Sequence, residues 1–193
     1  MSKYGGKDLL IKRKITATAW VTLTEYTVGQ YVTSGLNTYR CKVAGTTGAT
    51  GPTGTGTTPI TDGTVQWMFV GVTASTTHLT VAGMRSTGMT INNEQVDVTD
   101  KGDVPWRQLL AVGIRSMELS ASGIFSNADV LADIMVDVTT GAIVTFKIIS
   151  GRGDFFDGDY LVGSCERNGE YNGAEQYSLT LSSAGAVVYT PAP

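Results

Sequence analysis

The chain reads as a mostly β protein with one α-helix and a small all-β insert, and three observations predict this. Only 16% of its 193 residues are charged, while Gly, Thr and Ser are abundant, a composition suited to short strands joined by many turns. From 84 to 125 every local signal agrees. Residues 87–98 have the polar, β-branched texture of extended chain, 100–105 form a turn cluster, and 115–122 alternate. There Met117, Leu119 and Ala121 point one way and Ser116, Glu118, Ser120 and Ser122 the other, as a half-buried antiparallel strand requires. The third observation is a change of texture between residues 15 and 72, described next.

Residues 1–14 combine a loose polar start with a short apolar strand at 9–11. Residues 20–28 then alternate, with Trp20, Thr22, Thr24 and Tyr26 on one side and Val21, Leu23 and Glu25 on the other. Residues 29–32 and 38–43 add two β-like pieces. In 45–64, 17 of 20 residues are Gly, Thr or Pro, too few apolar groups to pack, which predicts an exposed loop. Its Gly45, Gly48, Gly51 and Gly54 fall at a period of three, but four triplets are too few for a collagen helix. A strand at 65–70 follows, and 78–82 resumes the style of the N-terminus. This predicts a β module at 15–72 spliced into the first hairpin of a larger domain made of 1–14 and 73–193. A module of that size is marginal alone, and anchoring at both ends lowers the cost of ordering it.

Beyond the turn cluster, 106–111 reads as a short helical turn. Ser126 or Asn127 caps a helix through about 138, with Val130, Leu131, Ile134, Met135 and Val138 on one face and Gly141 at its end. Residues 142–149 are the most apolar run and predict a central strand. Residues 151–159 read as a turn-rich loop, and 160–167 as a strand with Leu161 and Cys165 on one face. Asn168-Gly169 and Asn172-Gly173 are hairpin dipeptides, and 177–183 and 186–190 close the sheet. The segments 87–98 and 177–183 carry few charges and no proline, so both read as open edges.

Net charge is -3 and the pI is near 5.1, which argues against tight nucleic-acid binding. Lys3, Lys7, Lys12, Arg13 and Lys14 against Asp8 nevertheless give the first 14 residues +4, a basic arm on an acidic body. Two cysteines, Cys41 and Cys165, make neither a disulfide framework nor a metal site. No signal peptide or membrane span is visible, which predicts synthesis in the cytosol.

His78 stands in an alternating strand without the Cys, Asp or Glu company of a metal site. Asp97, Asp100 and Asp103 are three apart rather than two, so they read as turn and cap residues rather than a calcium loop. Asp154, Asp157 and Asp159 around two phenylalanines read as a solvated turn. No nucleophile, base and orienter set can be named, so the chain is not an enzyme on this reading, and no cofactor is expected. The insert crowds Trp20, Tyr26, Tyr31, Tyr39, Trp67 and Phe69 into a module with few other large apolar residues. They are either its core or an aromatic platform, with Trp20, Tyr31, Tyr39 and Trp67 as the candidate binding residues.

Several short motifs in order carry a family resemblance: Lys7-Asp8-Leu9-Leu10-Ile11-Lys12, Ala82-Gly83-Met84-Arg85-Ser86-Thr87, Val96-Asp97-Val98-Thr99, Trp106-Arg107-Gln108-Leu109-Leu110, Ser120-Ala121-Ser122-Gly123, and the run from Glu170-Tyr171-Asn172-Gly173 through Tyr177-Ser178-Leu179-Thr180-Leu181-Ser182-Ser183. With them, residues 1–14 and 73–193 resemble the major tail tube proteins of long, flexible-tailed phages and gene transfer particles. The resemblance implies a β-sandwich or barrel flanked by a helix, a virion tail protein made in the host bacterial cytoplasm, and hexameric rings stacked into a tube through which DNA passes without specific binding. It also implies other tail proteins as partners, such as the tape measure and terminator, and no membrane. Tyr31-Val32, Tyr39-Arg40-Cys41 and Asp62-Gly63-Thr64-Val65-Gln66-Trp67 resemble small accessory modules of phage structural proteins, distantly similar to sugar-binding modules. The alternative function is therefore a phage-associated adhesin or decoration protein whose insert binds a host surface glycan. In a tube, Lys3, Lys7, Lys12, Arg13 and Lys14 are the candidate ring-stacking arm, reaching the acidic loop 151–159 of the adjoining ring.

Overall fold

The computed structural model describes residues 8–75, 77–102, 106–110, 113–125, 129–169 and 171–193. Along the chain run β1 (Leu10–Lys14), β2 (Ala17–Ala19), β3 (Glu25–Tyr26), β4 (Tyr31–Ser34), β5 (Asn37–Val43), β6 (Gly45–Thr46), β7 (Ile60–Asp62) and β8 (Val65–Val72). Then come β9 (His78–Thr80), β10 (Met84–Asn93), β11 (Val96–Asp97), β12 (Leu109–Leu110) and β13 (Arg115–Ile124). The helix α1 (Asp129–Thr140) precedes β14 (Ile143–Ile149), β15 (Phe155–Asn168), β16 (Gln176–Ser183) and β17 (Val188–Thr190).

The body is one antiparallel sheet in the order β10-β13-β16-β15-β14-β1-β9, with β17 paired to β15. It curls into a half-barrel. The alternation at 115–122 works as expected: Met117, Leu119 and Ala121 are buried with Leu179 and Leu181 of β16, Tyr160 of β15, Phe146 and Ile148 of β14 and Ile11 of β1. Helix α1 covers this face with Val130, Leu131 and Ile134. Gly141 ends the helix at φ +66. Its N–H donates to the Val138 carbonyl and that of Ala142 to Asp137, the crossed pair that closes a helix through a left-handed residue. The capping candidates Ser126 and Asn127 lie outside the described residues.

Several local expectations are overturned. Residues 106–111 are not a helical turn, because Leu109–Leu110 pair with Val96–Asp97 as a two-stranded ribbon; Ala111 lies outside the described residues. Phe155–Asp159 belong to β15 rather than to a loop, since β14 pairs with them on one side and β17 with Phe155–Asp157 on the other. A bulge between Val162 and Ser164 adds a residue and switches faces, so Leu161 is exposed while Cys165 packs on the core. Strand β16 lies between β13 and β15, so 177–183 is interior and not an edge.

A second sheet, β2-β4-β5-β8-β7, and a ribbon of β3 with β6 take all their strands from residues 17–72. Its core is Tyr26, Val32, Tyr39, Cys41, Val65 and Trp67, with the Tyr26 and Trp67 rings edge to face at 5.1 Å. Residues 20–28 form a strand only at Glu25–Tyr26. Thr47 holds residues 21–24 in a turn, its hydroxyl donating to the Val21 carbonyl at 2.8 Å and accepting from the Thr24 N–H at 2.9 Å. Nor is 45–64 wholly exposed, because Asp62 is a buried hub. Its carboxylate accepts from Gly48 N–H at 2.7 Å, Trp20 Nε1 at 2.8 Å and Trp67 Nε1 at 3.1 Å.

The two sheets meet through α1. Asp129, Asp133 and Asp137 are spaced four apart and form one stripe along the helix. Arg13 of β1 grips Asp137 with two hydrogen bonds, 2.6 and 2.8 Å. From the insert, Arg40 donates to Asp133 at 2.6 Å and to Asp129 at 3.2 Å, Lys42 donates to Asp129 at 2.6 Å, and the Tyr31 hydroxyl donates to Asp133 at 2.6 Å. Burial first and then Asp133 raise the Tyr31 hydroxyl's pKa, so it stays a donor. Three carboxylates thus meet three cations.

Removing one partner from a buried pair leaves the other charge unpaired, at about 3–5 kcal/mol. Asp133→Ala leaves Arg40 with Asp129 alone at 3.2 Å and the Tyr31 hydroxyl without its acceptor, so it should lower unfolding free energy by about 3 kcal/mol, the low end of that range, against about 1 kcal/mol for Tyr31→Phe, which removes one hydrogen bond. Urea unfolding of both variants checks the ranking. Equal midpoints for Asp133→Ala and the parent would show that the stripe contributes nothing.

Candidate functional site

The open surfaces of the body lie at its margin and on its uncovered face. Strand β10 is an edge of the sheet, with Arg85 as its one charged residue and no proline. An edge of ten residues with so little to blunt it is a template for another strand. Beyond its end the chain continues as the β11–β12 ribbon. The Glu94 N–H donates to the Ile114 carbonyl at 2.9 Å, and Gly113 lies so close to Glu94 that a Cβ would fall 1.9 Å from its carbonyl oxygen. Arg107 ties the ribbon by an ion pair to Asp97 and a hydrogen bond to Gln95. Thr99, through its hydroxyl and amide, holds the Asp97 carboxyl below its ordinary pKa, and Arg107 adds to this.

Despite those polar ties the ribbon presents large apolar side chains to solvent. Trp106 is 81% and Ile114 77% exposed, and Val96, Val98, Leu109 and Leu110 are exposed beside them. Exposed apolar side chains gathered on one ribbon are a candidate interaction surface.

The other face of the sheet, opposite α1, is polar. Ser116, Glu118, Ser120 and Ser122 of β13 alternate with the buried residues, as do Ser178, Thr180 and Ser182 of β16. The Ser164 and Thr180 hydroxyls are bonded at 2.7 Å. Towards β1 this face holds the Lys147–Asp157 pair at 3.3 Å and a Thr145–Asp159 hydrogen bond at 2.7 Å.

The sequence-based candidates fall elsewhere than expected. Tyr39 and Trp67 are 0% exposed, Tyr31 is buried and bonded to Asp133, and the half-buried Trp20 is tied to Asp62. The four rings do not form one open platform, because a module this poor in aliphatic residues needs them as its core. Lys12, Arg13 and Lys14 are not a loose arm: they lie in β1, hydrogen-bonded between β14 and β9, and Arg13 is committed to Asp137. Lys3 and Lys7 lie outside the described residues. In the loop read as the arm's acceptor, Asp154 is bonded to Ser150, Asp157 to Lys147 and Asp159 to Thr145.

His78 stands opposite Lys14 on β9. Burial first and then Lys147 lower its pKa, favouring the neutral ring. Burial raises the thiol pKa of both Cys41 and Cys165, so neither is an activated nucleophile. Among the described residues no group of three or more His, Cys, Asp or Glu side chains is arranged to hold a metal, and no helix is long and apolar enough to cross a membrane.

Residues 68–189 match the family described as phage tail tube protein. The match runs from within β8 to within β17, leaving out β1 and most of the insert. Among solved structures, a chain from the virion of a native gene transfer agent particle is similar at TM-score 0.56 and 33% identity, covering 59% of this chain and 89% of that one. A chain from the tail of an empty gene transfer agent particle, refined with C6 symmetry, is similar at TM-score 0.56 and 33% identity, covering 63% of this chain and 92% of that one. No curated protein matches. The chain belongs to the phage tail tube protein family.

Proposed function

We propose that this chain is the major subunit of a virion tail tube, whose copies join margin to margin into rings that stack around a bore for DNA. The observation that carries the reading is a single sheet with a ten-residue open edge and an uncovered polar face, in a chain of the tail tube family. A margin-to-margin contact is heterologous, and a rotation that closes gives a ring with no free edge. The C6 symmetry of the gene transfer agent tail supports six subunits in that ring.

The uncovered face lines the bore. Hydroxyl rows with Glu118 and Glu166 slide past phosphates, whereas a basic face would release counterions and hold them. The protein works by shape and charge without catalysis. Its partners are further copies of itself and other tail proteins, a tape measure within the bore and a terminator at the end. A glycan contact through the insert is the weaker reading, because Tyr39 and Trp67 are buried.

Stacking draws on the basic N-terminal residues, with Lys3 and Lys7 leading and Lys12 and Lys14 behind them. Exposed charge pairs are weak and screened by salt. Residues 15–72 act as an accessory module gripped by α1 rather than as part of the tube wall.

Electron microscopy of the purified protein tests the central reading: stacked rings are expected, and dispersed monomers at all concentrations would refute it. Deleting residues 1–6 should shorten tubes at low salt while leaving rings intact, and wild-type tube lengths in that deletion would remove the arm from the joint. Replacing residues 16–71 by a Gly/Ser linker strands Asp129 and Asp133, so the excised body should fold well only with both changed to Asn. Thermal unfolding followed by circular dichroism checks this, and equal stability with and without the two Asn changes would contradict it.

A further inference from the structure

The uncovered face of the sheet is not evenly polar. Along β1, Ile11 is buried and Arg13 turns to Asp137 on the helix side, so Lys12 and Lys14 point the other way. Lys147, set between the buried Phe146 and Ile148 of β14, does the same. In register Lys12 stands opposite Lys147, and Lys14 opposite His78 of β9. Residues directly opposite have Cβ atoms about 5 Å apart, and those two apart on one strand are separated by about 7 Å. Three lysines thus share one patch on the β14–β1–β9 part of the face. His78 senses all of them: after burial, Lys147, Lys14 and Lys12 lower its pKa against the opposing pull of Asp157.

The carboxylates of this face lie further across the sheet, Asp157 and Asp159 on β15 and Glu118 on β13. Asp157 is engaged by Lys147 at 3.3 Å and Asp159 by the Thr145 hydroxyl at 2.7 Å. Among the described residues no ion pair joins Lys12 or Lys14 to a carboxylate. The face is therefore divided, positive towards the β9 margin and negative towards β13.

Like charges directly opposite one another destabilise a strand pair, so the Lys12–Lys147 pair works against the fold unless an anion lies over it. The residue type says which anion. Lysine is a hydrated point charge on a flexible stem, suited to phosphates that pass, whereas the one arginine of β1 is turned away and locked to Asp137.

We propose that this lysine strip is where the bore touches DNA: Lys12, Lys14 and Lys147 of each copy contact backbone phosphates of the passing duplex, whatever its sequence. The acidic part of the face repels the same phosphates, so contact is confined to one strip per subunit. The inference rests on the tube reading and adds to it the surface that meets the cargo. It leaves Lys3 and Lys7 as the part of the basic arm free for stacking. Three contacts give a grip that salt releases, with a slope of log affinity on log salt near about -2.7, or ~40-fold weaker binding between ~50 and ~200 mM salt.

The test titrates the full chain, kept dilute enough that sedimentation shows no tubes, with a short dye-labelled duplex at several salt concentrations. Lys12→Gln with Lys14→Gln should bring the slope to about -0.9 with melting no lower than wild type. Lys101→Gln with Arg152→Gln, at exposed turn positions elsewhere, should keep the wild-type slope. His78 is the one histidine of the chain and gives a second readout in unaltered protein: bound duplex should move its NMR titration to higher pH. Closed circular DNA, which cannot thread a bore, should bind unassembled protein but not assembled tubes. A wild-type slope in the Lys12/Lys14 variant, or an unmoved His78 titration with duplex bound, overturns the proposal. So does binding of circular DNA to tubes through these lysines, which would place them outside the bore. Equal affinity for a poly-glutamate of the same charge would assign the strip to an acidic protein segment and likewise overturn it. Failure of wild type to form rings would instead overturn the tube reading.

Discussion

The stripe of Asp129, Asp133 and Asp137 on α1 is the interaction on which the arrangement of the molecule depends. One side of the helix is greased into the sheet by Val130, Leu131 and Ile134; the stripe faces Arg13 of the body and Arg40, Lys42 and Tyr31 of the insert. Three negative charges within two helical turns would repel one another and disfavour burial. They are tolerable because three cations arrive from two different sheets. Charge-assisted bonds of 2.6–2.8 Å have narrow geometry, so they fix the insert's orientation as well as its attachment.

That orientation has consequences for assembly. The insert enters and leaves the body at one place, where the Ile15 N–H donates to the Thr77 carbonyl, and a module hung from a single such point would pivot. Held by α1, it instead forms a cleft of definite shape beside the β1–β9 margin, while the β10 margin carries the apolar ribbon. Joined by its two unlike margins, a subunit adds head to tail, which is the contact that closes into rings.

Much of this was legible in the sequence. The alternation in 115–122, the strand at 177–183, the helix with Gly141 behind it and the apolar run at 142–149 are local signals, and the structure follows them. The misreadings share a different cause. Leu109–Leu110 and Phe155–Asp159 are strands because distant strands pair with them, and β16 is interior because β15 takes its second side; none of this is encoded within the segment. Thr47 and Asp62 are buried in a stretch whose composition argues for exposure, since they satisfy backbone or indole N–H groups of residues 14, 23 and 42 positions away. The aspartate stripe was visible as a spacing of four. Its meaning was not, because Arg13 and Arg40 are 124 and 93 residues from their partners.

Whether α1 holds insert and body as one rigid subunit is tested most directly by a side-chain-resolution cryo-electron reconstruction of assembled tubes. The expected map shows the Arg40–Asp133 and Arg13–Asp137 pairs in every subunit, with insert density as sharp as that of the sheet. Insert density smeared relative to a sharp body, or Arg40 turned away from α1, would contradict it.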